Sequence, residues 1–417
     1  MKSEIVRVSL PWLGEGWEEK VTNNTMGFCI VKTCPVTKAR AGELITPHGM
    51  VPTPVFTPVG SQATVKAVAP DDLENLDIKM LMANTYHLYL RPGIRVIEKI
   101  GGLHRFMGWD KTMITDSGGY QIFSLARLRE INDDGVIFRS HIDGSQHLIT
   151  PELAIQFQES LGADIIMVLD ECPSHTETLE KIEEATERTH KWAARCLKAK
   201  ARDDQALFAI VQGGLFPELR RKSASFLVSL GFSGYAIGGL SLGESKALTQ
   251  AIVEETVAVL PENKPRYLMG VGSPEDVVEG VARGIDVFDS ALPTRVARKG
   301  ALFTWQGRHN IRNSGYSQKE DPFDPNCTCY TCRNFSASYL HHLFRCQELL
   351  AYRLATIHNL HFMTNLMKII REAILSGTFD AFRDEFLASY QPVDDEVRLI
   401  QRRKWLEAQN RKGINQR

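Results

Sequence analysis

Six short apolar runs in this 417-residue chain end in groups able to do chemistry. Asn84 closes one, Asp116-Ser117-Gly118-Gly119-Tyr120 the next, and Asp170-Glu171-Cys172 a third. Gln212-Gly213-Gly214, Gly238-Gly239-Leu240 and Asp289 close the others. Paired carboxylates suit displacement at an acetal-like carbon: one attacks, and the other handles the proton of the leaving group. A Gln amide and bare Gly backbone suit reading the polar edge of a planar heterocycle, because they offer hydrogen-bonding groups at close approach. Tyr120 and Met269 could sandwich such a ring, with core packing as the plainer reading of both. A single Asp or Asn after a strand has a plain reading too, as a helix N-cap. That reading does not account comfortably for all the positions together. The residues alone therefore point to an enzyme acting on a glycosidic bond or a polar ring, and a barrel glycosidase would satisfy the carboxylates.

For these groups to meet, the runs must be strands that share one end. They are Val55 to Val59, Lys79 to Ala83, Met113 to Thr115, Ile165 to Leu169, Leu207 to Val211, Tyr235 to Ile237, Arg266 to Met269 and Ile285 to Phe288. Helix-like segments lie between them. The clearest spans Thr178 to Lys200, with Leu179, Ile182, Ala185, Thr189, Trp192, Ala193 and Cys196 on one face. Buried strands alternating with helices predict a parallel sheet, and eight units predict an α/β (β/α)₈ TIM barrel whose strand ends converge on one face. Val136 to Thr150 breaks the rhythm as a hairpin turning at Asp143-Gly144, inserted on a barrel loop. A polar stretch from Asn310 to Asn326, a Cys cluster and a helical region from about Ser338 to Ser376 read as a metal-stapled subdomain. From about Asp394 the tail reads as a helix with a basic face, more simply a solvated surface helix than an RNA-binding arm.

Cys327, Cys329 and Cys332 fall within six residues, a spacing that fits one tetrahedral soft-ligand ion, with zinc the default choice over unrelated free thiols. The fourth ligand is open among His341, His342, His358 and His361. A catalytic zinc would want an open position and a nearby acid or base, and the cluster supplies neither specifically. Hydrophobic residues at 43% and charged residues at 24% exclude wholesale disorder, collagen and coiled coil. Lys plus Arg at 49 against Asp plus Glu at 50 means that any polyanion must be held by a local basic patch. Apolar runs such as Ile165 to Leu169 are far too short for a bilayer, and Met1 to Leu10 lacks a signal-peptide core, so a soluble cytoplasmic protein with no membrane partner is expected.

Eight motifs in order carry a resemblance. They are Thr46-Pro47-His48-Gly49; Asn84-Thr85-Tyr86-His87-Leu88 with Arg91-Pro92-Gly93; Thr115-Asp116-Ser117-Gly118-Gly119-Tyr120-Gln121; and Asp170-Glu171-Cys172. Val211-Gln212-Gly213-Gly214, Gly238-Gly239-Leu240, Leu268-Met269-Gly270-Val271-Gly272 and Leu292-Pro293-Thr294-Arg295 complete them. Together with the Cys cluster they closely resemble the tRNA-guanine transglycosylases, from about Met26 to about Gln391. The resemblance implies a (β/α)₈ barrel spanning 26–393, a zinc-bound subdomain at about 310–365, and extensions at 1–25 and 394–417 with no derived role. It implies exchange of the wobble guanine of GUN-anticodon tRNAs (Asp, Asn, His and Tyr acceptors) for a 7-deazaguanine, in queuosine formation. Asp289 matches the nucleophile at ribose C1′ and Asp116 the general acid and base. Two displacements at one carbon imply net retention and ping-pong kinetics. Asn84, the stretch Asp116, Ser117, Gly118 and Gly119, and Asp170, Gln212, Gly239 and Leu240 match substrate-binding positions, with Tyr120 and Met269 as the sandwich. RNA contacts are implied for Gly270, Val271, Gly272, Ser273, Pro274, Glu275 and Asp276, and for Thr294, Arg295, Val296, Ala297 and Arg298. As isolated residues, the two arginines would more often be solvated surface groups. The resemblance also implies one structural zinc on Cys327, Cys329, Cys332 and His358, and a homodimer.

Two departures bear on substrate choice. Ser290 follows the nucleophile where a Cys is common, and Leu242 stands where bacterial members have Val, close to where a 7-substituent would point. The incoming base, 7-aminomethyl-7-deazaguanine or queuine, is left open by Leu242. A non-catalytic tRNA-binding partner subunit is the alternative within the family, and retention of Asp116, Asp170 and Asp289 speaks against it. An archaeal-type enzyme would need a C-terminal RNA-binding domain of at least ~50 residues, which the tail cannot hold.

Overall fold

The computed structural model describes residues 26–125 and 129–392; the expected N-terminal extension and the basic tail lie outside the described residues. Three antiparallel strands come first: β1 (Gly27–Thr33), β2 (Arg40–Thr46) and β3 (Gly49–Thr53). The barrel strands are β4 (Val55–Pro58), β5 (Met80–Asn84), β6 (Thr112–Asp116), β10 (Ile165–Met167), β11 (Ala206–Val211), β12 (Gly234–Ile237), β13 (Arg266–Leu268) and β14 (Val287–Ser290). Between β6 and β10 stand β7 (Arg129–Asn132), β8 (Gly135–Arg139) and β9 (Gln146–Ile149), and after the barrel come β15 (Ala301–Thr304) and β16 (Gly307–Asn310).

The eight predicted runs are the eight barrel strands, parallel and in the order β4-β14-β13-β12-β11-β10-β6-β5. A parallel bridge from Val59 to Met82, with the Gly60 N–H donating to the Met82 carbonyl at 2.7 Å, brings the two edges together. The strands are buried along their length, as expected where helices cover one face and side chains fill the other. Register matters for the site. Asn84 pairs beside Asp116 across β5 and β6, and Asp289 beside Thr57 across β14 and β4, so these polar groups share the carboxyl end of the barrel.

The helix predicted over Thr178 to Lys200 runs Leu179–Ala199, capped by the Thr178 hydroxyl. Leu179, expected on the buried face, is 45% exposed because it sits in the first turn, whereas Thr186 and His190 join that face. The predicted hairpin is β8 and β9, and β7 adds an unforeseen third strand. The helical region expected from Ser338 to Ser376 is two helices, Ala337–Arg345 and Leu349–Ser376. Gln347, at φ 59, turns the chain between them. The second of these helices has two jobs. Its first turns join a separate small core with Leu302, Ile311, Phe323 and Leu340, while Leu360, Met363, Leu366 and Ile370 pack into the barrel core. Among the described residues, no helix is long and apolar enough to cross a membrane.

Candidate active site and metal centre

Asp116 ends β6 as a buried carboxylate held by three donors. Asn84 Nδ2 reaches Oδ2 at 2.5 Å, Gln121 Nε2 reaches the same oxygen at 2.7 Å, and the Thr85 N–H reaches Oδ1 at 3.0 Å. Burial nevertheless pushes its carboxyl up to about 7; those donors oppose the shift and the nearby charge of Asp289 adds to it. A group poised there can give and take a proton at neutral pH. Thr85 and Gln121 were not among the expected site residues. The Thr85 contact is made by backbone, which has no sequence signature.

Asp289 is the penultimate residue of β14 and is 8% exposed. The Tyr267 hydroxyl donates to its Oδ1 at 2.6 Å and the Gly270 N–H at 2.8 Å, leaving Oδ2 without a hydrogen-bond partner among the described residues. Burial raises its pKa, and the two donors pull it back. Tyr267 also went unforeseen, since a tyrosine inside an apolar run reads as core. The neighbouring Ser290 hydroxyl accepts from the Leu292 N–H at 3.1 Å and so faces its own loop.

A third polar group gathers at the ends of β10, β11 and β12. Gln212 Nε2 donates to Asp170 Oδ2 at 2.7 Å, and burial raises Asp170 to about 6 against that bond. The glycines around them leave no room for side chains. A Cβ on Gly119 would lie 2.7 Å from Asp170 Oδ1, and one on Gly239, at φ 70, would lie 2.5 Å from Gln212 Oε1. Beneath them Arg220, fully buried and unforeseen, donates to the carbonyls of Gly214, Val211 and Gly238. Leu240 is buried, Met269 is half-buried against the core, and Tyr120 is 45% exposed, so core packing does not describe Tyr120.

The two stretches expected to meet RNA are partly inside the protein. Gly270 and Arg295 are exposed, whereas Val271, Gly272, Pro274, Thr294, Val296 and Ala297 are buried. Lys246 takes up Glu275 at 2.5 Å and Asp276 at 3.0 Å, and half-buried Arg298 donates to the Thr294 carbonyl at 2.7 Å. Gly272 packs against the residue that follows Asp289: a Cβ there would come within 2.3 Å of Ser290 Cβ.

Cys327, Cys329, Cys332 and His358 present ligand atoms that all lie within 4.8 Å of one another. His358 Nδ1 is 3.6, 3.6 and 3.4 Å from the three sulfurs in that order. A tetrahedral ion with bonds of ~2.3 Å to sulfur and ~2.0 Å to nitrogen holds those ligands about 3.5 Å apart, so the residues fit such an ion. The His358 Nε2–H donates to the Phe303 carbonyl at 2.7 Å, which directs the Nδ1 lone pair at the sulfurs. His361 Nδ1 approaches only Cys327 among the three, at 3.8 Å, and His341 is bonded to the Ile311 carbonyl, so the geometry selects His358. A second His/Asp group, His48, His104 and Asp164, gathers at the opposite end of the barrel. Its imidazoles stack at 3.7 Å and 14°, and parallel planes cannot both aim at one ion; the group is a carboxylate clamp, with His48 Nδ1 2.7 Å from Asp164 Oδ1.

The sequence profile described as Queuine tRNA-ribosyltransferase matches residues 34–392. A queuine tRNA-ribosyltransferase of Dehalococcoides mccartyi is 59% identical over 383 residues, 92% of this chain and 98% of that protein. Its namesake in Halothermothrix orenii is 55% identical over 354 residues, 85% of this chain and 95% of the relative. One in Herpetosiphon aurantiacus is 54% identical over 365 residues, covering 88% and 93% respectively. With the barrel, the clustered carboxylates and the Cys₃His group in place, this chain belongs to the queuine tRNA-ribosyltransferase family of pentosyl-transferring enzymes.

Proposed function

We propose that the protein exchanges the wobble guanine of GUN-anticodon tRNAs for a 7-deazaguanine, through a covalent bond between Asp289 and ribose C1′. The observation that carries the reading is the contrast between two buried carboxylates at one end of the barrel. Asp289 has one oxygen held by Tyr267 and Gly270 and the other unbonded among the described residues, as a nucleophile requires. Asp116 has its pKa raised to about 7, as a proton shuttle requires. The C1′–N9 bond breaks as Asp289 bonds to C1′, and Asp116 gives its proton to the departing guanine. The incoming base then loses a proton to Asp116 and attacks C1′, releasing Asp289. An unpaired anticodon nucleotide can leave its stack to reach the strand ends.

Asp170, Gln212, Gly239 and Leu240 would read the base edge, with Tyr120 and Met269 on its faces, and Gly270 and Arg295 are the exposed members of the RNA-contacting stretches. We assign zinc to the Cys₃His group, where it would tie the segment that carries Cys327, Cys329 and Cys332 to the helix Leu349–Ser376 and take no part in the exchange. The enzyme is read as a cytoplasmic homodimer. Its incoming base is 7-aminomethyl-7-deazaguanine or queuine, and Leu242 beside Glu244 is the position that should discriminate them. The test is exchange activity of Asp289→Ala and Asp116→Asn on a GUN tRNA with each base. Loss of exchange in both variants is expected; full activity of Asp289→Ala would rule out the covalent route.

A further inference from the structure

Arg220 lies on the inner side of the helix Pro217–Ser229 and is 0% exposed. Its Nε donates to the Gly214 carbonyl at 2.9 Å, and Nη1 donates to the carbonyls of Val211 and Gly238, each at 2.8 Å. Nη2 is buried with no hydrogen-bond partner among the described residues. The Glu244 carboxylate acts on the guanidinium through space, and no carboxylate hydrogen-bonds to it among the described residues. The Cys172 thiol is pushed up to about 12 by burial and is therefore neutral, and the Glu244 carboxylate is taken up by Ser241, Leu242, Gly243 and Thr249. Burial lowers Arg220 to about 10, which still leaves it a cation at neutral pH. A buried cation held chiefly by backbone carbonyls is costly to desolvate, and a leucine would pack the same helix face without that cost.

The carbonyls that Arg220 binds belong to the peptides that present the base-reading groups. Val211 precedes Gln212, Gly214 ends that turn, and Gly238 precedes Gly239. A trans peptide points its C=O and N–H in opposite directions, so anchoring the Gly238 and Val211 carbonyls turns the N–H groups of Gly239 and Gln212 away from the guanidinium. A cation on the carbonyl side also polarises each peptide and strengthens its N–H as a donor. We infer that Arg220 is a positioning residue whose charge, relayed through the Val211–Gln212 and Gly238–Gly239 peptides, stabilises the departing base as an anion. The inference rests on the base-exchange reading. When Asp289 bonds to C1′, the electron pair of the C1′–N9 bond passes into the base and spreads to its ring nitrogens and carbonyl oxygen. The proton from Asp116 then makes the base neutral. Charge that develops on the carbonyl edge meets donors already oriented and polarised, which lowers the barrier without reorganisation.

The test uses 8-azaguanine, whose ring N–H is more acidic than that of guanine and whose anion absorbs differently, titrated by ultraviolet absorbance when bound to the full-length, metal-loaded enzyme. Bound to the wild type it should ionise at least about one pH unit below the free base. The shift should vanish in Arg220→Met and persist in part in Arg220→Lys, which keeps charge but not the fork. In the same Met variant, kcat for guanine exchange should fall about 100-fold while KM for tRNA stays within about threefold. A bound base that titrates at or above the free value in the wild type would overturn the inference, even if Arg220→Met does not fold. An Arg220→Met enzyme with unchanged kcat would overturn it too. Absence of exchange by the wild type itself would instead remove the base-exchange reading, and this inference with it.

Discussion

The two carboxylates to which the proposed exchange gives the roles of nucleophile and proton shuttle are the same residue type, and their surroundings separate them. Asp289 has one oxygen bonded by Tyr267 and Gly270, while the three donors around Asp116 come from the last residue of β5, the first residue of the helix Thr85–Leu90 and the helix Gly119–Leu125. Replacing Asp289 by Ala should lower exchange by about 10³-fold or more with tRNA binding retained, because the covalent route is then closed. For Asp116, raised to about 7, the sign follows from the proton it must carry. Single-turnover expulsion of guanine should decline as pH rises through about 7, and attack by the incoming base should rise over the same interval. A profile with both limbs near pH 4 would remove Asp116 from the shuttle role. Most residues of the candidate site were legible because they end apolar runs. Tyr267, Thr85 and Arg220 were not. Tyr267 sits within its run, Thr85 acts through its N–H, and Arg220 follows Leu219 in a helix where a cation reads as solvated.

At the scale of elements, all eight barrel strands were legible because each is a short, largely apolar run between helix-like segments, and six of the runs end in polar or glycine-rich stops. β7 was not: it is mostly exposed, and its Arg129-Glu130-Ile131-Asn132 has no apolar run. The break at Gln347 was hidden as well, since no Gly or Pro marks it and the apolar spacing continues through. Glycine turns carry the site's tolerance. Gly213 has φ 136, and a Cβ there would lie 2.8 Å from Arg220 N, so Gly213→Ala should cost roughly 1–3 kcal/mol in denaturant unfolding and distort the Gln212 turn. In the metal module, His358→Ala should lose the bound ion and lower the melting temperature. His361→Ala, which removes a single 3.8 Å approach to Cys327, should retain the ion in elemental analysis. Equal metal content in the two variants would overturn the ligand assignment.

Across the whole molecule, two ends of one barrel do different work. The carboxyl ends gather the reactive groups, and the opposite end is closed by the β1–β3 sheet, which the strand rhythm did not reveal because it is antiparallel and precedes the repeating units. Arg40 reaches from β2 to Asp286, donating through Nε at 2.9 Å and Nη2 at 2.5 Å, and the Arg266 N–H donates to the same carboxylate at 2.7 Å. Asp286→Ala leaves Arg40 buried and unpaired, so it should reduce stability by about 3–5 kcal/mol, read from the shift in denaturant midpoint. The clamp of His48 and His104 on Asp164 acts at the same end. Burial would raise the Asp164 pKa, but the two histidine bonds outweigh it and the net shift is downward, so its stabilisation is present above the unfolded carboxyl's pKa and is lost as pH falls through the lower folded value. The central claim concerns the carboxyl end of the barrel, and release of labelled guanine from the wobble position of a GUN-anticodon tRNA tests it most directly. The account predicts release driven by 7-aminomethyl-7-deazaguanine or by queuine, and none with Asp289→Ala. A wild-type protein that binds the tRNA yet releases no guanine with either base would contradict it.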